Sequence, residues 1–206
     1  NGTLYERLDH NYDTLLKFLK KNSVVYDIGS YIGTYSIPMA LEGMQVIGFE
    51  GYPDNYERSI LNTRKYDNIK IYNVALSDEK KTVYTKFNDC TDLDPVARQI
   101  TYVRLDDFMR EHSLQKPDLV KLDIEGMETI ALFGMKNLLE NIGYHPTVEE
   151  KYEHYPGFVS VENGGFNFNQ FHDNLNYAVF DELGRYCKTF TNFGEYICIP
   201  KEKVAK

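Results

Sequence analysis

Apolar and polar positions along the chain alternate between a helical and an extended period. Over 11–21 the apolar residues Tyr12, Leu15, Leu16, Phe18 and Leu19 fall near helical spacing, which predicts a short amphipathic helix. Residues 23–28 form a β-branched run that stops at glycines, the mark of a buried strand. The alternation then repeats, with a helix over 34–41, a strand over 45–50, a helix over 54–66 and a strand over 69–75. Residues 82–104 interrupt it: strands are expected over 82–87 and 100–105, around a polar loop at 88–95. Asp106 or Asp107 is expected to cap a short helix reaching Glu111. The pattern resumes with a strand over 118–123, a helix over 127–141 and a strand over 157–162. Two last strands, over 177–180 and 195–199, are expected to pair antiparallel.

Strands alternating with helices imply a mostly parallel sheet, and a terminal strand pair makes its edge mixed. No internal repeat, low-complexity tract or linker divides the chain, so residues 1–206 are expected to form one α/β domain. Within it, 1–22 is a helical lead-in and 143–176 a polar, aromatic segment on the expected substrate side.

Composition narrows the function. Hydrophobic residues make up 42% and charged ones 26%, enough for a packed core. The net charge of −8 leaves no basic field for a nucleic-acid backbone, so no nucleic-acid partner is expected. No stretch approaches the ~18 apolar residues of a membrane span. The three cysteines, Cys90, Cys187 and Cys198, lack C-x-x-C spacing and read as reduced thiols. With no leader-like start, that favours the cytoplasm. Cys187 and Cys198 are expected to face one another on adjacent strands.

In open parallel sheets, ligands bind beyond the carboxyl ends of the strands, where strand order reverses. Those ends carry Asp27, Glu50, Asp123 with Glu125, and Glu162, while the third strand ends in Asn73-Val74-Ala75-Leu76-Ser77-Asp78. None carries Lys or Arg at its tip. A carboxylate rim suits a polar or cationic ligand.

Two cofactors use such a rim. A nicotinamide dinucleotide needs G-x-G-x-x-G and an acid about 20 residues later. Glu50, 21 residues after Gly29, meets the second condition, but position 31 is Tyr and position 34 is Thr. S-adenosylmethionine has no phosphate and carries a sulfonium and an ammonium. Glycines at 29 and 33 let the backbone approach it, and Glu50 can accept both ribose hydroxyls, each bond contributing on the order of 1.5–3 kcal/mol. Asp27 and Asp123 can face its cationic end. The methyl donor is the better fit.

The segment Val25-Tyr26-Asp27-Ile28-Gly29-Ser30-Tyr31-Ile32-Gly33-Thr34-Tyr35-Ser36 resembles the opening motif of FkbM-like methyltransferases, a branch of the class I S-adenosylmethionine-dependent enzymes. Val46 to Glu50 with Asn55, Asn73 to Asp78, and Val103 to Phe108 resemble its next segments. Pro117 to Glu128 is the most specific match, and Pro156 to Glu162 is similar to its fifth strand. The resemblance implies a Rossmann-like seven-stranded methyltransferase sheet with an antiparallel C-terminal pair. It also implies that Asp27, Gly29, Ser30 and Gly33 line the methionine and ribose, with Tyr31 and Asn55 in the same cofactor set. Glu50 would hold the ribose, Ala75 and Leu76 would flank adenine, and Asp123 would sit near the transferring methyl. Gly51 stands where the family usually has proline.

A hydroxyl acceptor needs a proton acceptor nearby. Asp123 and Glu125 lie two apart at a strand end, so they are the catalytic candidates, with an oxygen-ligand metal pair or a plain helix start as the alternatives for Glu125. The five histidines show no zinc spacing, and no metal is expected. Over 143–176, Tyr144, Tyr152, Tyr155, Phe166 and Phe168 interleave with Asn163, Asn167, Asn169 and Gln170, which suits a carbohydrate or other small polyol. Tyr155, Glu162 and Phe168 are the substrate-side candidates. The expectation is O-methylation of a sugar or small-molecule hydroxyl. The rivals are an NAD(P)-dependent oxidoreductase and a non-enzymatic S-adenosylmethionine-binding module. The oligomeric state is left open.

Overall fold

The computed structural model describes residues 12–16, 19–85, 97–142, 158–162, 176–181, 185–188, 195–201 and 204. The elements are α1 (Tyr12–Leu16), β1 (Val24–Ile28), α2 (Ser36–Leu41), β2 (Gln45–Phe49), α3 (Pro53–Thr63), β3 (Ile69–Tyr72), β4 (Ala75–Leu76) and β5 (Lys81–Thr85). They continue with β6 (Arg98–Val103), α4 (Leu105–Glu111), β7 (Leu119–Leu122), α5 (Glu128–Gly134), α6 (Lys136–Ile142), β8 (Phe158–Glu162), β9 (Tyr177–Asp181) and β10 (Glu195–Pro200).

The main sheet runs in the order β3-β2-β1-β7-β8-β10-β9. Its first five strands are mutually parallel, and β10 runs antiparallel to both β8 and β9. The mostly parallel sheet with an antiparallel end is thus as expected from the alternation of elements. The order reverses between β1 and β7, which places the switch point, and any ligand crevice, at their carboxyl ends.

Period-two alternation splits the core between the two faces. Val24, Tyr26, Ile28, Val120 and Leu122 join one cluster, under α4, α5 and α6. Val25 and Leu119 join the other, with Tyr35 and Met39 from the α2 side. Asp27 and Lys121 follow on that second face, so its apolar column ends in charge at the switch point.

Several predicted elements come out differently. The strand expected over 69–75 is broken, because the Asn73 amide donates to the carbonyls of Glu50 (2.8 Å) and Gly51 (3.3 Å) and turns the chain. Ala75–Leu76 then joins a second sheet of order β4-β6-β5. Leu105 starts α4 rather than ending a strand, since the Phe108 N–H donates back to the Arg104 carbonyl at 3.0 Å and closes the first helical turn around it. Neither Asp106 nor Asp107 caps α4. Asp106 instead accepts from the backbone N–H groups of Asn137 and Leu138, both at 2.9 Å, and so caps α6. The single helix expected over 127–141 is accordingly two, parted at Met135.

Cys187 and Cys198 do not face one another. Val179 lies between them, paired with Cys198 on one side and accepting from the Cys187 N–H on the other. Among the described residues no helix is long and apolar enough to cross a membrane.

Candidate active site

The glycine turn after β1 is shaped by close approach. Gly29 has φ +80°, and a Cβ there would lie 1.8 Å from the Asp123 carbonyl oxygen. Its N–H and that of Ser30 both donate to the Phe49 carbonyl, at 2.9 and 3.1 Å. Tyr31 follows at φ 51°, exposed, and Gly33 at φ 90°. No side chain could occupy the Gly29 position without pushing β7 away from β1.

Glu50, just past β2, closes the turn. Its Oε2 accepts from the Tyr31 N–H (2.9 Å) and its Oε1 from the Tyr52 N–H (2.8 Å), so one carboxylate ties the glycine turn to the start of α3. Burial pushes its pKa up to about 7, against the pull of those two N–H groups. A carboxylate offers about four acceptor directions, so two remain. Asn55 is buried on the first turn of α3. Ala75 lies against the same corner: a Cβ on Gly51 would stand 2.7 Å from that of Ala75. Leu76, by contrast, packs into the core, 2% exposed.

A second constellation lies on the α2 face. Asp27 is fully buried, and its Oδ2 accepts from the Ser36 hydroxyl at 2.6 Å. Lys121 is its register partner across β1 and β7. The Lys121 ammonium lies 3.0 Å from Asp123 Oδ2, 3.6 Å from Asp27 Oδ1 and 4.6 Å from the centre of the Tyr35 ring. The rim of strand ends is therefore not purely acidic: a lysine from inside the fourth parallel strand reaches between two of its carboxylates. Its signal in the sequence was a lone cation within the apolar run Asp118-Leu119-Val120-Lys121-Leu122-Asp123.

Asp123 and Glu125 take different positions. Asp123 is partly exposed and held by Lys121, while Glu125 is exposed on the following turn at φ 58°. That turn is shaped by Glu128, which is fully buried and accepts from the N–H groups of Ile124 (3.0 Å) and Gly126 (3.1 Å). Glu128 and Lys121 are the two charged groups that sequence reasoning passed over. The side chain of Glu162 is not among those described, and Tyr155, Phe168 and the other aromatic and amide side chains of 143–175 lie outside the described residues, as does Cys90. Among the described residues no group of three His, Cys, Asp or Glu side chains could hold a metal.

These features fit S-adenosylmethionine. The Gly29 turn packs on the Asp123 carbonyl and so holds the ends of β1 and β7 together at the crevice, Glu50 keeps acceptor capacity for a diol, and Asp123 offers a partly exposed carboxylate to a cation. Asp27 Oδ1, 3.6 Å from the Lys121 ammonium, and Ser30 Oγ are buried with no hydrogen-bond partner among the described residues, so both keep acceptor capacity.

The family model of the methyltransferase FkbM domain matches residues 27–187. The chain is 26% identical over 137 residues to the hexuronic acid methyltransferase AglP of Haloferax volcanii, covering 63% of this chain and 57% of that protein. Methyltransferase FkbM from Methylobacillus flagellatus superposes with a TM-score of 0.59 at 15% identity, over 93% of this chain and 48% of that one. A TehB-like SAM-dependent methyltransferase from Corynebacterium glutamicum gives 0.51 at 12% identity, over 95% and 89%. The chain thus spans about half the length of the first two relatives, and the two structures share its fold. The matched span takes in the glycine turn, Glu50 and the run from Lys121 to Glu128. S-adenosylmethionine is the cofactor that goes with this match, and the chain belongs to the FkbM family of methyltransferase domains.

Proposed function

We propose that this domain transfers a methyl group from S-adenosylmethionine to a hydroxyl oxygen of a sugar or other small molecule. The observation that carries the donor half is Glu50, fixed by two backbone N–H groups at the switch point with acceptor directions to spare for a ribose diol. The carbohydrate half is supported by the similarity to a hexuronic acid methyltransferase. The cofactor supplies an electrophilic methyl on a positively charged sulfur. The chain's own residues hold the two reactants in line, worth roughly 7–11 kcal/mol in favourable intramolecular cases.

In this reading Asp27, Gly29, Ser30, Tyr31, Gly33 and Asn55 surround the donor with Glu50, and Ala75 and Leu76 stand on its base side. Asp123 takes the hydroxyl proton as the C–O bond forms and the C–S bond breaks, and Glu125 stands at the mouth. Tyr155, Glu162 and Phe168 belong to the acceptor side, within 143–176. The domain works as one unit on the seven-stranded sheet of its family, in the cytoplasm and without a nucleic-acid partner.

Calorimetry with S-adenosylhomocysteine and with NAD, followed by labelled methyl transfer to a panel of sugars and small hydroxyl compounds, tests the proposal. Binding of the first ligand only, with label entering a hydroxyl, is expected. Binding of NAD instead, or label appearing only on nitrogen, would refute it, and donor binding without transfer to any acceptor would favour a binding module.

A further inference from the structure

The hairpin of β5 and β6 is fastened in two different ways. At one end of β6, Val103 is buried in the core beside Leu76, its register partner on β4. Ile100 is buried as well, but before it neither Arg98 nor Gln99 is, and no residue of β5 is. At this thinly covered end Arg98 makes a fork. Its Nε donates to Asp54 Oδ1 at 2.9 Å and its Nη2 to Asp54 Oδ2 at 2.8 Å. Arg98 begins β6 and Asp54 lies in the first turn of α3, so the fork joins the second sheet to the helix whose start Glu50 holds through the Tyr52 N–H.

The corner formed by 50–54 thus meets the later chain three times. Asn73 donates to the carbonyls of Glu50 and Gly51, Ala75 crowds Gly51, and Arg98 closes on Asp54. Ala75 pairs with Tyr102 on the strand that Arg98 begins, so where Arg98 is held bears on where Ala75 sits. The two side chains of the fork keep 31% and 29% of their surface exposed. A pair so open to water adds little to folding. What two parallel bonds fix is direction, because a planar guanidinium meets a carboxylate in one orientation.

We propose that Arg98 and Asp54 are positioning residues that fix the lean of the hairpin against α3, and with it the seat of the donor's adenine beside Ala75. Neither touches the donor: the pair acts through β6 and Ala75, while Glu50 keeps the ribose. The inference rests on the S-adenosylmethionine reading of the site. It also predicts a sign that charge alone does not give. Taking away the carboxylate and taking away the guanidinium change the local charge in opposite directions, yet either one releases the same fork.

The test is a double-mutant cycle of Asp54→Asn, Arg98→Gln and the two together in the full chain, with thermal melts to check folding. Calorimetry gives Kd for S-adenosylmethionine, S-adenosylhomocysteine and S-inosylhomocysteine, the last differing from the second in its base alone. A plain field effect on the cationic S-adenosylmethionine would weaken its binding in D54N and strengthen it in R98Q. Release of the fork weakens it in both. Each single variant is expected to bind S-adenosylmethionine and S-adenosylhomocysteine about fivefold more weakly, and the double variant about fivefold as well, against roughly 25-fold for independent sites. Arg98 has further interactions, and the cycle cancels them because the coupling is read as a difference. The preference for S-adenosylhomocysteine over S-inosylhomocysteine is expected to shrink by about the same fivefold factor, whereas general loosening of the fold weakens both ligands alike and lowers the melting temperature. Opposite signs in the two single variants, independent effects in the double, or a base preference that is absent from the wild type or unchanged in the variants would each overturn the proposal. If the wild type binds none of the three nucleosides, the donor reading itself fails and this inference falls with it; if the wild type binds and the cycle fails, only this inference falls.

Discussion

Lys121 and Asp27 oppose one another across the two central strands, Nζ 3.6 Å from Oδ1, with 8% and 0% of their side-chain surface exposed. Taking away one member of such a pair strands a charge where water cannot reach it. Lys121→Met is therefore expected to destabilise the fold by about 3 kcal/mol, and adding Asp27→Asn to recover most of that. Urea unfolding of the two variants measures both numbers, and an additive result would show that the groups do not interact.

Glu50 predicts a pH dependence of opposite sign for the free and the bound protein. Its pKa in the folded chain, about 7, lies above the ordinary 4.5, so the free fold favours the neutral acid. The stability this contributes is complete below pH ~4.5 and is lost as pH rises through about 7, a change of about 3 kcal/mol. A ribose diol donates to the ionised form, so donor binding draws the proton off. Affinity for S-adenosylhomocysteine is expected to rise up to about tenfold between pH ~6 and ~8. Calorimetry near neutral pH in two buffers of different ionisation heat should detect proton release. A binding heat independent of buffer would refute this account of Glu50.

Gly29→Ala should abolish donor binding and cost more than about 2 kcal/mol of stability, since the new methyl meets both a positive φ and the Asp123 carbonyl. Unfolding and calorimetry report the two effects. An alanine variant with wild-type melting would mean that the β1–β7 contact is looser than described.

Asp106→Ala removes the cap of α6 and nothing in the cleft. The expected cost is about 1 kcal/mol in unfolding free energy, with Kd for S-adenosylhomocysteine unchanged. A larger fall in affinity than in stability would place α6 in the site.

The sheet, its antiparallel end and the glycine turn were legible because period-two apolar runs and a pair of glycines at 29 and 33 are local signals. Glu50 was legible as a carboxylate at the end of an apolar strand, 21 residues after Gly29. Lys121 was not legible because its meaning depends on register: only the pairing of Asp27 with Lys121 turns a cation in a buried strand into a bridge between two acids. Asp106 was legible as a cap but not as the cap of a helix some 30 residues on. Likewise the turn at Asn73 depends on carbonyls more than 20 residues earlier, which no window along the chain can see.

That turn separates two tasks. After Asn73 the chain leaves the main sheet, so Ala75 and Leu76 hang from the hairpin of β5 and β6 while Glu50 stays anchored to β2. In the proposed reading, base contact and sugar grip therefore rest on different scaffolds, and changes in the hairpin are expected to alter nucleobase preference while leaving the Glu50 anchor untouched.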